Sequence, residues 1–342
     1  MRFKAILFVA ILLLPIMSVT AQDETFDIVA TTTQASDLAR ILTDGAEGVS
    51  ITSLMGAGVD PHLYQPTESD IAAMSDADLV VYSGLNLEGQ FTTVFNALDE
   101  QGVATQPLGL PVKDAGFIIG GFDLSEDFQD VDDPHFWFDP RNWEITVTAV
   151  AETMVELDPA NETVYLENAE AYIEQLQSLF AWATEGMESV DEDQRFIVTS
   201  HDAFQYFGAG FGWSVEGIQG LSTEDEAGVG DIQDTVDFVI ENEIPVLFVE
   251  SSIAPDTIEA VVEAVEDAGG TVRVGVRELY SDAMGEPDTF GGTYIGMIAE
   301  NVYTVLQSYE CAGIELTIPE WPEDLEPVPS DDILDIDCEA EE

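Results

Sequence analysis

The sequence predicts an α/β protein built as two similar lobes with parallel sheets, joined by a long backbone helix. Three observations carry this. Short apolar runs rich in β-branched residues alternate with segments of helical spacing, the pattern of a parallel sheet with crossover helices. That alternation occurs twice, before and after residue 160. Between the two runs lies an amphipathic stretch from Ala160 to Glu188, with Val164, Ala171, Ile173, Leu176, Leu179, Phe180 and Ala183 at helical spacing. At ~1.5 Å per residue it spans roughly 40 Å and reads as a spine between the halves.

Taken in order, Phe26 to Thr32 is a first strand and Gln34 to Leu42 a helix. Val49 to Leu54 is a second strand, followed by a loop with Gly56 and Gly58 that carries His62. Thr67 and Ser69 can cap a helix from Glu68 to Met74. Asp78 to Tyr82 is a third strand, with a helix through Phe91 to Leu98. Lys113 to Asp133, rich in Gly and Asp, reads as a loop, and Trp143 to Met154 as a helix. After the spine, Phe196 to Thr199 is a strand ending at His201. A helix from Ala203, a strand over Ser214 to Gly217 and an acidic loop from Gly220 to Gly230 follow. Ile232 to Glu241 is helical, and Val246 to Val249 is a strand ending at Glu250. Pro255 to Ala268 is a helix, Thr271 to Val274 a strand, and Thr293 to Tyr309 the closing helix. The expected division is a leader at 1–21, an N-terminal lobe at 22–157, the backbone helix at 158–190, a C-terminal lobe at 191–310 and an acidic tail at 311–342.

The leader has a basic start at Arg2 and Lys4, an apolar core from Ala5 to Met17 and the small-residue site Val19-Thr20-Ala21. It reads as an export signal, so the mature protein is expected outside the cytoplasm; an uncleaved anchor is the alternative. With no cysteine near the cleavage region, a lipid anchor is not expected. Cys311 and Cys338, in an exported chain, read as a disulfide that ties down an otherwise loosely ordered tail. The 69 acidic residues against 8 basic ones leave a formal charge of -61. Such a surface repels nucleic acid and anionic lipid, so neither is an expected partner. It solubilises the protein, and acidity alone says nothing about a metal site. No phosphate-binding loop or dinucleotide fingerprint occurs. Gly-Ala-Gly-Phe-Gly at 208–212 lacks the strand before it and the helix after it that such a fingerprint needs.

Three histidines are present, His62, His135 and His201. Each stands at a strand end or in a proline-bounded loop, and His135 lies in Asp132-Asp133-Pro134-His135-Phe136-Trp137-Phe138-Asp139-Pro140. In a parallel α/β sheet the crevice lies beyond the carboxyl ends of the strands. His62, His135, His201, Glu250 and Asp282 all fall in loops that reach that edge. Such a set makes a closed site of three imidazoles with one or two carboxylates, suited to zinc and also open to manganese or iron. Taken singly, each histidine also reads as a hydrogen-bonded loop residue and Asp282 as a turn or cap residue.

At these residues the chain resembles the substrate-binding proteins of zinc/manganese-type metal ABC transporters, the adhesin-like metal-binding lipoproteins. The resemblance covers nearly all of the mature chain. It rests on Gly58 to Thr67, Asp133 to Pro140, Ser200 to Phe207, Phe248 to Ser251, Leu279 to Asp282 and Gly292 to Met297. It implies two lobes joined by a long rigid helix and one metal ion in the cleft. The implied ligands are His62, His135, His201 and Asp282, with Glu250 behind them and Phe136 and Trp137 shielding the ion. It further implies delivery to a membrane permease and its ATPase by a monomeric carrier that is not an enzyme. The chain departs from zinc-specialised members in carrying an acidic stretch, Glu126 to Asp133, where they often have a histidine-rich loop. It departs from many manganese members in having His201 where they have Glu. Zinc is the first expectation for the cargo, with manganese or iron as alternatives. A secreted metallohydrolase, with Glu250 or Asp202 as base, and an adhesin are the competing readings.

Overall fold

A computed structural model describes residues 25–122, 131–224, 226–336 and 338. The leader at 1–21, most of the acidic stretch from Glu126 and the last residues of the tail lie outside the described residues. In the N-terminal lobe, β1 (Phe26–Ala30), α1 (Thr33–Leu42), β2 (Val49–Ser53), α2 (Glu68–Asp76), β3 (Leu79–Tyr82), α3 (Thr92–Gln101) and β4 (Ala104–Pro107) alternate. Their four strands form one parallel sheet in the order β2-β1-β3-β4. Thr67 caps α2 in a reciprocal box with Asp70, which satisfies orphan donors at the helix start.

The stretch expected as a loop after Lys113 holds more order than that. Helix α4 (Gly109–Asp114) runs into it, and β5 (Gly120–Phe122) pairs antiparallel with β6 (Val131–Asp132). Strand β4 was not foreseen either: its Ala-Thr-Gln-Pro sequence is half-buried at the sheet edge, where apolar alternation is not required and a proline is tolerated. Helix α5 (Pro140–Leu157) starts on the Asp139 cap, with Pro140 in its first turn, where a missing N–H costs nothing. A 3₁₀ turn, Pro159–Asn161, then leads into α6 (Glu162–Met187). The 26 residues of α6 at ~1.5 Å each make a rod of about 39 Å.

The second half comprises β7 (Phe196–His201), α7 (Gln205–Phe211), β8 (Ser214–Gln219), α8 (Val229–Glu241), β9 (Val246–Leu247), α9 (Asp256–Asp267), β10 (Arg273–Val274) and α10 (Tyr294–Cys311). Strand β8 pairs with β7, and β9 with β10, all in parallel. A bridge from Thr199 to Phe248 joins the two pairs. The order β8-β7-β9-β10 therefore repeats that of the first sheet. The pairing of β9 gives out after Leu247, earlier than the sequence suggested; the chain continues only through the bridges at Phe248 and Glu250.

One apolar core runs through both lobes around α5, α6 and α10, with Trp143 stacked on Tyr294 at 4.7 Å between centroids. Smaller clusters lie under the outer faces of each lobe. The backbone helix is thus one wall of a shared core, so relative motion of the lobes has to bend or slide packed helices. The tail is docked. Cys311 is joined to Cys338, Leu325 and Ile333 of the tail are buried, Trp182 donates to the Pro319 carbonyl, and Gln307 donates to Ile333. Ile333 sits in the last short helix, α11 (Asp331–Leu334).

Candidate metal centre

Each lobe brings its polar groups to the carboxyl ends of its strands. In the first, Glu88 after β3 is buried and accepts from the Thr31 hydroxyl and from the N–H groups of Ser83 and Gly84, bracing the ends of β1 and β3. The loop after β2 passes Gly58, whose left-handed φ of 68° suits glycine, and reaches His62. His135 follows β6. In the second lobe His201 is the last residue of β7, Glu250 follows β9, and Asp282 lies beyond Leu279, which bridges to Glu250.

His62, His135, His201 and Asp282 meet, each buried, with one donor atom from each lying within 4.8 Å of all the others. Nε2 of His135 is 3.3 Å from Asp282 Oδ1, and Nε2 of His201 is 3.4 Å from Oδ2. The His62 and His135 Nε2 atoms face each other at 3.4 Å, and His62 Nε2 is 3.9 Å from Oδ2. Donors tetrahedrally arranged at ~2.1 Å around an ion stand ~3.4 Å apart, so the spacing is that of a metal ligand set. The hydrogen-bond inventory points the same way. Both Asp282 oxygens and His201 Nε2 are buried without a hydrogen-bond partner, a costly arrangement unless something else occupies the centre.

The far sides of two rings are tied to carboxylates. Asp133 Oδ1 lies 2.7 Å from His135 Nδ1 and accepts the His135 backbone N–H at 2.9 Å. Glu250 Oε2 lies 2.6 Å from His201 Nδ1, and Oε1 accepts the His201 backbone N–H at 2.8 Å. Such partners fix the tautomer, so that Nε2 presents its lone pair to the centre. Trp137 stands edge-on to the His135 ring at 5.3 Å, while Phe136 stacks on Trp143 at 6.1 Å, further into the core. Asp282 is held from the other lobe: Gln34 of α1 donates to its carbonyl, and Thr33 accepts from the Met284 N–H.

Without an ion, these groups hold one another's charge. Burial opposes a charge on His135, but the hydrogen bond to Asp133 and the nearby Asp282 carboxylate outweigh it and push the imidazole up to about 9. Burial likewise opposes charge on His201, and the carboxylates of Glu250 and Asp282 raise it well above the usual histidine range. His62 has no carboxylate at its Nδ1 among the described residues, and burial, against the pull of Asp282, lowers it to about 3. Burial works against an ionised Asp282, yet the neighbouring His201 and His135 imidazoles hold it well below the usual carboxylate range.

Asp133 carries a role that sequence reasoning did not assign to it. The signal was present: Asp-Pro-His occurs twice, at 60–62 and at 133–135. In both copies the aspartate accepts the N–H of the histidine two residues on, a turn that short acidic side chains favour.

Fold and centre together define a class, the two-lobed binding proteins that enclose a small ligand between parallel sheets at their strand ends. Residues 28–308 match the family described as "ZnuA: Zinc-uptake complex component A periplasmic", and the chain belongs to that family. It is 38% identical to the manganese-binding lipoprotein MntA of Bacillus subtilis, over 84% of this chain and 90% of that one. It is 36% identical to the zinc-binding protein TroA of Treponema pallidum, over 82% of this chain and 87% of that one. The solved structure of the periplasmic zinc-binding protein TroA from Treponema pallidum superposes with a TM-score of 0.76 at 35% identity, covering 83% of this chain and 99% of that one.

Proposed function

We propose that this protein captures one divalent metal ion outside the cytoplasm and hands it to a membrane permease driven by an ABC-type ATPase. His62, His135, His201 and Asp282 are its ligands, and Glu250 and Asp133 orient two of the imidazoles. The observation that carries this is the set of four converging buried donor groups, in which His201 Nε2 and both Asp282 oxygens have no hydrogen-bond partner. Three imidazoles favour zinc, and the two free oxygens of Asp282 leave room for the higher coordination that manganese or iron prefers. Relatives are named for all three metals: manganese-binding MntA, zinc-binding TroA and the iron-binding protein YfeA of Yersinia pestis. The ion is cargo. Four protein donors leave no open position for a reacting water, and Glu250, one of the two residues available as a base, is already engaged with His201 through both oxygens. The protein therefore acts as a carrier without catalysis. In this reading it is an exported monomer. Its lobes span 22–157 and 191–310, its backbone helix 158–190 and its tail 311–342. Among the described residues no helix is long and apolar enough to cross a membrane.

The deciding experiment is metal analysis of the purified protein, followed by competitive zinc and manganese titration of the chelator-stripped form. One tightly held equivalent, abolished in His135→Ala and Asp282→Asn, is the expected result. Weak binding of many ions, unchanged in both variants and removed by salt, would overturn the proposal.

A further inference from the structure

The two Asp-Pro-His turns are built alike and wired differently. At 133–135, Asp133 Oδ1 accepts both from the His135 backbone and at the His135 ring, so its work stays inside one turn. At 60–62, Asp60 Oδ1 accepts the His62 N–H at 2.8 Å, but the other oxygen turns away from the ring. Oδ2 accepts the hydroxyl proton of Thr223 at 2.6 Å, 163 residues further along the chain. Thr223 lies between β8 and α8, in the opposite lobe.

We propose that Asp60 is a positioning residue that fastens the His62 ligand turn to the opposite lobe through Thr223, so that release of the ion requires this cross-cleft hydrogen bond to break. The inference rests on the metal-carrier reading above. Three further features support it. His62 is the one histidine of the set whose ring has no carboxylate behind it among the described residues, so its position depends on its backbone turn. That turn is rigid at Pro61 and is held by the Asp60 carboxylate. The loop also runs close to the other lobe at Gly58, where a Cβ would stand 3.7 Å from the Ser251 carbonyl oxygen. Finally, the Asp60–Thr223 bond is half-buried and 2.6 Å long. The neighbouring bridge from Gln90 to Glu224, 2.7 Å, also crosses the cleft but is exposed and adds little. On the other side of the centre the Asp282 loop is tied to α1 by Gln34 and Thr33, next to the shared core. Opening the cleft at the His62 side therefore parts Asp60 from Thr223 while the Asp282 side stays anchored.

The test uses the whole protein with Thr223→Val, which removes the hydroxyl at constant shape, and Thr223→Ser, which keeps it. Two quantities are read. One is the rate of zinc release into excess chromophoric chelator; the other is amide exchange at His62 in the metal-free protein. Thr223→Val is expected to release zinc roughly tenfold faster, about 1.4 kcal/mol, with one equivalent still bound and with faster exchange at His62. Thr223→Ser is expected to behave as the parent. Release and exchange at parental rates in Thr223→Val would overturn the proposal, and Thr223→Ala gives the same comparison should the valine variant fold poorly. A parent protein that binds no zinc, manganese or iron would overturn the carrier reading by itself. The metal-free exchange measurement would still decide whether Thr223 holds the His62 turn.

Discussion

At the scale of single residues, the centre is a balance of charge in a buried space. Three carboxylates, Asp133, Glu250 and Asp282, face three imidazoles, and without an ion the excess negative charge is met by protons on His135 and His201. An ion needs the Nε2 lone pairs and must displace those protons, whereas the Nδ1 protons stay with Asp133 and Glu250. Affinity should therefore rise with pH up to about 9, where His135 loses its proton unaided, and fall on acidification. With one to two protons displaced, log K gains roughly one to two per pH unit, measurable by competitive titration in steps from pH 6 to 9. An affinity flat across that range would sink this account. Asp133→Asn removes the charge behind His135 and should weaken binding about 10–100-fold. It also lets His135 deprotonate at lower pH, so the pH dependence of the variant should be shallower above neutrality; isothermal titration at pH 7 and 9 checks both. The three converging histidines were legible because histidine is so scarce here and each copy sits in a proline- or strand-bounded context, and Asp282 was legible through the resemblance at Leu279 to Asp282. The role of Asp133 was not, since the repeated Asp-Pro-His motif that marks it says nothing of the ring contact until its distance to Nδ1 is known.

At the scale of elements, the helices and strands followed their patterns closely where burial enforces them. β1, β3 and β7 are buried strands between helices, and their apolar runs say so. The motif from Gly292 to Met297 opens α10: the Thr293 side chain caps it by accepting the Gly296 N–H, and at Gly296 a Cβ would collide with the Phe290 carbonyl. Failures fall on β4, on α4 and on the β5–β6 ribbon, all short, where neighbours in space rather than local pattern decide the conformation. The tail is the element whose state depends on a covalent bond. Cys311 and Cys338 are 27 residues apart, and opening that loop restores chain entropy to the unfolded state worth roughly 3–4 kcal/mol. Replacing both by serine should lower the melting temperature and free Leu325 and Ile333, read by calorimetry and by protease cleavage between residues 313 and 336. Zinc stoichiometry should stay at one, because the tail bonds to Trp182, Gln307 and Arg273, away from the four converging side chains.

At the scale of the whole molecule, a formal charge of -61 is the dominant fact that the centre does not explain. Like charges at this density repel one another across the folded surface, and salt relieves them: the screening length is ~10 Å at 0.1 M and ~3 Å at 1 M. Stability of the metal-free protein should therefore increase with sodium chloride, with a melting temperature higher by at least about 5 °C at 1 M than at 0.1 M. A melting temperature that falls or stays level over this range would mean that the acidic groups are paired or spaced so as not to repel. Cargo binding should respond far less, because its donor atoms are buried and are poorly screened.

The sequence by itself determined the class of fold, the long helix between two repeats of the same alternation and the identity of the four converging side chains. These are written in local periodicity, in composition and in short motifs, each of which acts on its own neighbourhood. Only the tertiary structure decided how the centre is supported and coupled: that α6 is one wall of a core shared by both lobes, that Asp133 stands behind the His135 ring, that the partner of Glu250 is His201, and that Asp60 reaches across the cleft to Thr223. The reason is physical. A carboxylate hydrogen-bonds whatever donor the fold brings to it, and two identical Asp-Pro-His turns acquire different partners because different surfaces arrive beside them.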